Sequence, residues 1–259
     1  MARKFVDLSI PLQNAPMENN PTVIQYISHT ELGRSRTKAY KFPDTSYFPD
    51  HMHCATENIS AISTHSGTHL DSPYHYGPEC EGSPSKTIDL VPLEWCFGNG
   101  VVLDFHDAER GYNITLDEVK AKVASLEAKG YKLKPMDIVL IRTDHTTKYL
   151  YTPDFEQTHP GVSVDATAWL CEECGIKVMG IDAWGFDIPT SQMARLRLEG
   201  NIKDFFGSHY YGRGKEYIHA EKLTNLDQLP EFGFTVSMFP IRLERASGGW
   251  IRAVGIVEE

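Results

Sequence analysis

The chain has 259 residues, 41% of them hydrophobic and 23% charged, which is enough apolar material to bury a real core and too much for a disordered segment. A formal net charge of −10, with Lys and Arg scattered along the chain, argues against nucleic acid and anionic membrane surfaces as partners. No run approaches the roughly 20 apolar residues of a membrane-spanning helix, and MARKFVDLSIPLQ lacks the apolar centre of a signal peptide; with five cysteines that cannot all pair, the cytoplasm is the expected location.

In chain order, Phe5 to Ile10 reads as a strand closed by Pro11. From about Thr22 to Ser60 no clean period emerges, and this stretch is expected to be a long surface excursion, of the kind that covers functional sites. Val101 to Asp104, preceded by Gly98 and Gly100, predicts a buried strand. Thr115 and Glu118 form a capping box, Leu116, Val119, Val123 and Leu126 share one helical face, and Gly130 is placed to end that helix. Asp137 to Ile141 predicts the next strand, Ser163 caps a helix running through Cys174, Gly175 stops it, and Lys177 to Ile181 is again strand-like. Phe234 to Phe239 and Trp250 to Ile256 read as two more strands flanking a Gly248-Gly249 turn. Strands alternating with helices and then following one another predict an α/β fold with a mixed β-sheet and packed helices. Nothing resembling a linker or repeat interrupts the chain, so one domain over 1–259 is expected.

The densest group of ligand-type residues is His65-Ser-Gly-Thr-His69-Leu-Asp71-Ser-Pro-Tyr-His75. Imidazole with carboxylate is the mix used by catalytic Zn2+ and Mn2+, and the two ions are not distinguished by these residues. On a straight strand His65 and His69 would stand about 13 Å apart, too far for one ion, so the chain must bend. Gly67 is the residue best able to bend it, while His69 and Asp71, two apart, face the same side of an extended segment. Pro73 then ends the strand and carries His75 to the rim of the site. His65, His69 and Asp71 are thus the expected metal ligands. A single histidine such as His29, His106, His145, His159 or His219 reads more simply as a hydrogen-bonded core or surface residue.

The string H-x-G-T-H-x-D-x-P-x-H resembles the signature of the metal-dependent cyclase-like hydrolases, the family that includes bacterial kynurenine formamidase and isatin hydrolase. Asp7-Leu-Ser9 with Pro11-Leu12, then His159-Pro-Gly-Val-Ser163 leading to Gly180-Ile-Asp182-Ala-Trp-Gly-Phe-Asp187, and Glu221-Lys-Leu-Thr-Asn-Leu-Asp227 are similar to further segments of that family. The resemblance implies a swivelling β/β/α-like fold. It also implies that His209 and Glu221, twelve residues apart, complete the metal site by holding a second ion or supporting the first, and that the protein is a homodimer or larger homo-oligomer. One departure is Tyr210-Tyr-Gly-Arg-Gly214, glycine-rich where leucines are expected. The long segment before His65 is closer to isatin hydrolase-like members.

What the resemblance implies for activity is hydrolysis of a C–N bond in a small amide, an isatin-like cyclic amide first and an N-formyl aryl amine such as N-formylkynurenine next. The ion would lower the pKa of its water toward roughly 7 and polarise the carbonyl, and His75 is the expected catalytic residue, moving the proton from water to the leaving nitrogen. Trp184 and Phe186, after a strand, and Tyr47 and Phe48, in the long segment, are candidates for stacking on a flat substrate. A metal-stabilised binding protein for a small carboxylated metabolite would use the same ligands without turnover. Cys171-x-x-Cys174 suggests redox chemistry or half a zinc site, but its place late in a helix favours a structural role. His51-x-His53 reads as a solvated loop, and Ser66 and Ser72 lack the G-x-S-x-G elbow of a serine hydrolase.

Overall fold

Short runs of Val, Leu and Ile bounded by Gly, Pro and Asp become strands here, and a computed structural model describing residues 2–14 and 21–258 joins them into a nine-stranded mixed sheet. Its strands, numbered in chain order, are β1 (Arg3–Asp7), β2 (His69–Asp71), β3 (Phe97–Asp104), β4 (Ile138–Arg142), β5 (Val178–Ile181), β6 (Ile218–Glu221), β7 (Phe234–Ser237), β8 (Gly248–Trp250) and β9 (Val254–Glu258). The spatial order is β1-β9-β7-β3-β4-β5-β6-β2-β8. Neighbours from β3 to β6 run parallel, and every other pair is antiparallel. The expected α/β class with a mixed sheet is therefore what forms.

These strands belong to one of two compact units, comprising Met1–Pro11 and Gly67–Glu259; Leu12–Ser66 forms the other. In the larger unit, strand alternation divides the apolar side chains between two clusters. Val101, Leu103, Val139, Ile141, Met179 and Ile181 pack on one face with Val119, Val123 and Leu126 of the helix Leu116–Ala128 and with Leu170 and Cys171 of the helix Val164–Glu172. Val102, Ile138, Leu140, Val178, Leu70 and Ala220 turn to the other face, against Val6, Leu8 and Val236. Full burial of one such aliphatic side chain contributes roughly 1.5–3 kcal/mol, so both faces of the central parallel strands are strongly held.

The helix start signals operate as read, while the helix expected to run through Cys174 ends at Glu172. Thr115 accepts from the Glu118 amide while Glu118 accepts from the Thr115 amide, and Ser163 accepts from Ala166 N–H at 3.4 Å. Cys171 and Cys174 are free, and burial pushes their thiols up to about 12 and about 11. At those values neither is a thiolate near neutral pH, and the pair fits the structural role.

Three expectations are corrected. Gly248-Gly249 is not a turn but part of β8, paired with Leu70 and Asp71 of β2. The single strand expected from Trp250 to Ile256 breaks in two, because β8 and β9 serve opposite ends of the sheet order. The stretch from Thr22 to Ser60 is also regular rather than aperiodic. Val23–Ile27 and Thr56–Ala61 pair antiparallel, and between them in sequence comes a helix over His29–Ala39, opened by a Ser28/Glu31 capping box and with Arg36 and Lys38 in its last turn. That helix has only Leu32 and Gly33 buried, so it carries little apolar period for a sequence reading to detect. Tyr47 and Phe48 lie in this unit: Tyr47 is exposed and stacks on Phe42 at 5.0 Å, and Phe48 meets His53 edge-on at 5.3 Å. The His53 amide donates to His29 O and the His51 ring contacts Thr45 Oγ1 at 3.3 Å.

Candidate metal centre

The site is set by the register of one very short strand. All three residues of β2 are buried, and its antiparallel pairing with β6 places Asp71 opposite His219, Leu70 opposite Ala220 and His69 opposite Glu221. Alternation sends Leu70 and Ala220 into the apolar cluster and turns two imidazoles and two carboxylates to the other face. Gly67, at φ +61, supplies the left-handed bend just before β2, as its position between the histidines predicts.

Two short helical segments complete the cluster. Pro73 opens a turn over Pro73–Tyr76 that carries His75 and Tyr76. Gly207–Tyr211 carries His209, and the amides of Ser208 and His209 donate to Asp187 at 2.8 and 3.1 Å. The same carboxylate accepts from His209 Nδ1 at 2.6 Å.

The three histidines nearest the carboxylates share one arrangement. His69 Nδ1 faces Gly67 O at 2.9 Å, His209 Nδ1 faces Asp187, and His219 Nδ1 lies 3.2 Å from the hydroxyls of both Tyr76 and Tyr217. Every Nε2 points the opposite way. Asp71 Oδ2 is 3.1 Å from His219 Nε2 and 3.5 Å from His209 Nε2, and Asp71 Oδ1 is 3.3 Å from His69 Nε2. Glu221 Oε1 is 3.3 Å from His219 Nε2 and 3.8 Å from His209 Nε2, Glu221 Oε2 is 3.7 Å from His69 Nε2, and Phe186 N–H donates to Oε1 at 2.8 Å. One donor atom each from Asp71, His209, His219 and Glu221 lies within 4.8 Å of all the others.

The electrostatics suit a cation. Burial opposes charge on His209 and His219, yet the hydrogen bonds they donate to Asp187 and Asp71 in the first case, and to Asp71 and Glu221 in the second, hold both imidazoles above their ordinary range. Burial and the neighbouring Asp71 push Glu221 upward, but the bond from His219 and the charges of His219 and His209 prevail and hold it low. Protons on the imidazoles thus balance the buried carboxylates, and a divalent cation would supply the same charge. Nδ1 atoms tied back to the protein, with Nε2 turned inward, are also the usual posture of ligating histidines. The residues present fit a Zn2+ or Mn2+ site.

Of the residues singled out from sequence, His69, Asp71, His209 and Glu221 come together here. His75 sits at the edge, its side chain 34% exposed and its Nε2 3.7 Å from Asp71 Oδ2. His65 lies in the Leu12–Ser66 unit, where its amide donates to Ser63 Oγ at 3.2 Å. Trp184 is half-buried under the ammonium of Lys222, 3.8 Å above its ring. Phe186 is fully buried and its ring stacks on His219 at 4.7 Å; such a ring supports the imidazole and has no face to offer a substrate, which corrects the stacking role expected of it. Sequence reasoning passed over His219 as an ordinary histidine. Its signal was present, since His219-x-Glu221 repeats the strand spacing of His69-x-Asp71. The Tyr76 and Tyr217 hydroxyls carried no comparable signal.

A mixed sheet that brings histidines and carboxylates together from two short paired strands defines an α/β protein whose buried cluster could hold a metal ion. The chain belongs to the Cyclase family, whose model, described as "Putative cyclase", matches residues 6–188. It is 28% identical over 196 residues to Cyclase-like protein 1 of Arabidopsis thaliana, spanning 74% of this chain and 66% of that protein. With isatin hydrolase of Roseibium aggregatum it shares 26% identity over 211 residues, 77% of this chain and 74% of the relative; with kynurenine formamidase of Bacillus mycoides, 24% over 193 residues, 74% and 76%. The structure of isatin hydrolase A from Ralstonia solanacearum has the same fold, with a TM-score of 0.76 at 23% identity, covering 99% of this chain and 92% of that one.

Proposed function

We propose that the protein is a metal-dependent hydrolase that opens the C–N bond of a small aromatic or cyclic amide, an isatin-like ring first and an N-formyl aryl amine next. The observation that carries this reading is the convergence of three Nε2 atoms on the buried Asp71–Glu221 carboxylate pair. The names of the hydrolase relatives support the bond type. His69, Asp71, His209 and Glu221 would hold the ion, with His65 added on the sequence signature alone.

A bound divalent cation supplies Lewis-acid activation of water and of the amide carbonyl. The chain's own residues do the rest. Asp187 and Gly67 O fix the orientation of His209 and His69 through their Nδ1 atoms, so that no reorganisation is needed at the reaction step. His75, partly exposed beside Asp71, takes a proton at Nε2 from the attacking water and returns it to the departing nitrogen, so that an amine leaves rather than its anion. Trp184, half-buried and bearing the Lys222 ammonium on one face, is the remaining candidate in this unit for contact with an aromatic ring.

The test is to load the protein with Mn2+ or Zn2+, measure the bound metal, and follow isatin, formanilides and small lactones by proton release. The expected result is near-stoichiometric metal and turnover of isatin or a formanilide. Stoichiometric metal with tight product binding and no turnover of any amide would overturn catalysis in favour of a binding protein. Absence of metal uptake would overturn both.

A further inference from the structure

The geometry points to His219 as a metal ligand through Nε2, with Tyr217 as the positioning residue that holds it in the ligating tautomer. This rests on the proposed metal centre and adds a ligand outside the set drawn from the sequence signature. It follows from counting hydrogens. A phenol has one proton to donate, and Tyr217 gives its own to Ser208 O at 2.8 Å. Toward His219 Nδ1, 3.2 Å away, the Tyr217 oxygen can only accept. That contact favours a proton on Nδ1, so Nε2, which lies 3.1 Å from Asp71 Oδ2 and 3.3 Å from Glu221 Oε1, is the atom that would give up its proton to a cation.

The ring plane is held as firmly as the tautomer. Phe186 stacks on the imidazole with an interplanar angle of 9°. Tyr76 and Tyr217 stack on each other at 5.2 Å and place both hydroxyls at the same Nδ1. His219 thus repeats the pattern of His69 on Gly67 O and His209 on Asp187, with a phenol in the place of a carbonyl or carboxylate. A phenol accepts more weakly than a carboxylate and leaves the imidazole a softer, less basic donor than His209.

A merely structural His219 would also be buried and bonded to the two carboxylates, so the experiment reads the metal itself. Wild-type protein, His219→Phe and Tyr217→Phe are stripped, titrated with Co2+ in competition with a chelator, and their visible d–d spectra recorded. Phe at 219 keeps the stack on Phe186, and near-UV circular dichroism of the metal-free proteins reports folding. We expect wild type to bind Co2+, His219→Phe to lose affinity by more than about 10-fold with an altered band, and Tyr217→Phe to lose about 10-fold, within the 10–100-fold range for outer partners of ligating histidines. Should His219→Phe not fold, Tyr217→Phe decides alone: an unchanged affinity and spectrum in that folded variant overturn the inference. Wild-type Co2+ binding with both variants unaltered sinks His219 as a ligand and leaves the hydrolase reading standing. No Co2+, Mn2+ or Zn2+ uptake by wild type sinks the hydrolase reading itself.

Discussion

His159 offers a stability prediction whose size follows from its surroundings. It is 2% exposed, its Nδ1 faces Pro160 O at 3.1 Å, and the ring of His145 lies 6.1 Å away. Burial brings its pKa down from 6.5 to about 4. Between those values the unfolded chain holds a proton that the folded chain refuses, so unfolding takes a proton up and acid drives it. The stabilisation is complete above about pH 6.5 and is lost as pH falls toward 4. With 1.36 kcal/mol per pKa unit, the whole shift is worth about 3 kcal/mol, and about 2 kcal/mol of it is gone by pH 5. Urea unfolding of the metal-free protein at pH 8 and pH 5, compared with His159→Gln, isolates this residue from the other titrating groups. The variant should lose about 2 kcal/mol less than wild type over that interval. Parallel losses in the two proteins would refute the account, because a histidine that is charged in both states has no linkage to contribute.

Three further outcomes are expected. Gly212→Ala builds a Cβ only 2.2 Å from Tyr76 Cδ2, so the ring beneath His219 must shift; thermal or urea unfolding should show a loss of about 1–3 kcal/mol, and an unchanged midpoint would mean that the ring yields freely. His75→Ala should keep its metal, measured by elemental analysis, while kcat falls by about 10²–10⁴; loss of the metal would recast His75 as a ligand. Asp187→Asn weakens the acceptor on His209 Nδ1 and should reduce metal affinity by about 10–100-fold in chelator competition, with the largest deficit at low pH, where protons compete for the imidazoles.

What could be read in advance was local, and what could not was pairing. Thr115 with Glu118, the Val119, Val123 and Leu126 stripe, and Gly130 at φ +90 define one helix from start to stop within sixteen residues. The bend at Gly67 and the common side of His69 and Asp71 are likewise short-range statements about backbone freedom and strand period. The site needs more than that. His219 stands 148 residues beyond Asp71, and only the antiparallel register of β2 on β6 brings the two together. A slip of one residue in that register would bury His69 and Asp71 in the apolar cluster and turn Leu70 toward His219 and Glu221. The pairing is therefore held by the same alternation that builds the core, Leu70 and Ala220 on one side and the polar four on the other. A histidine two positions before a carboxylate on a buried strand is a ligand candidate when a second such pair exists elsewhere in the chain, since the two pairs can meet edge to edge. In that sense the tyrosine hydroxyls were the least legible part, because nothing in the local pattern of Tyr76 or Tyr217 distinguishes a core ring from one whose oxygen sets a tautomer.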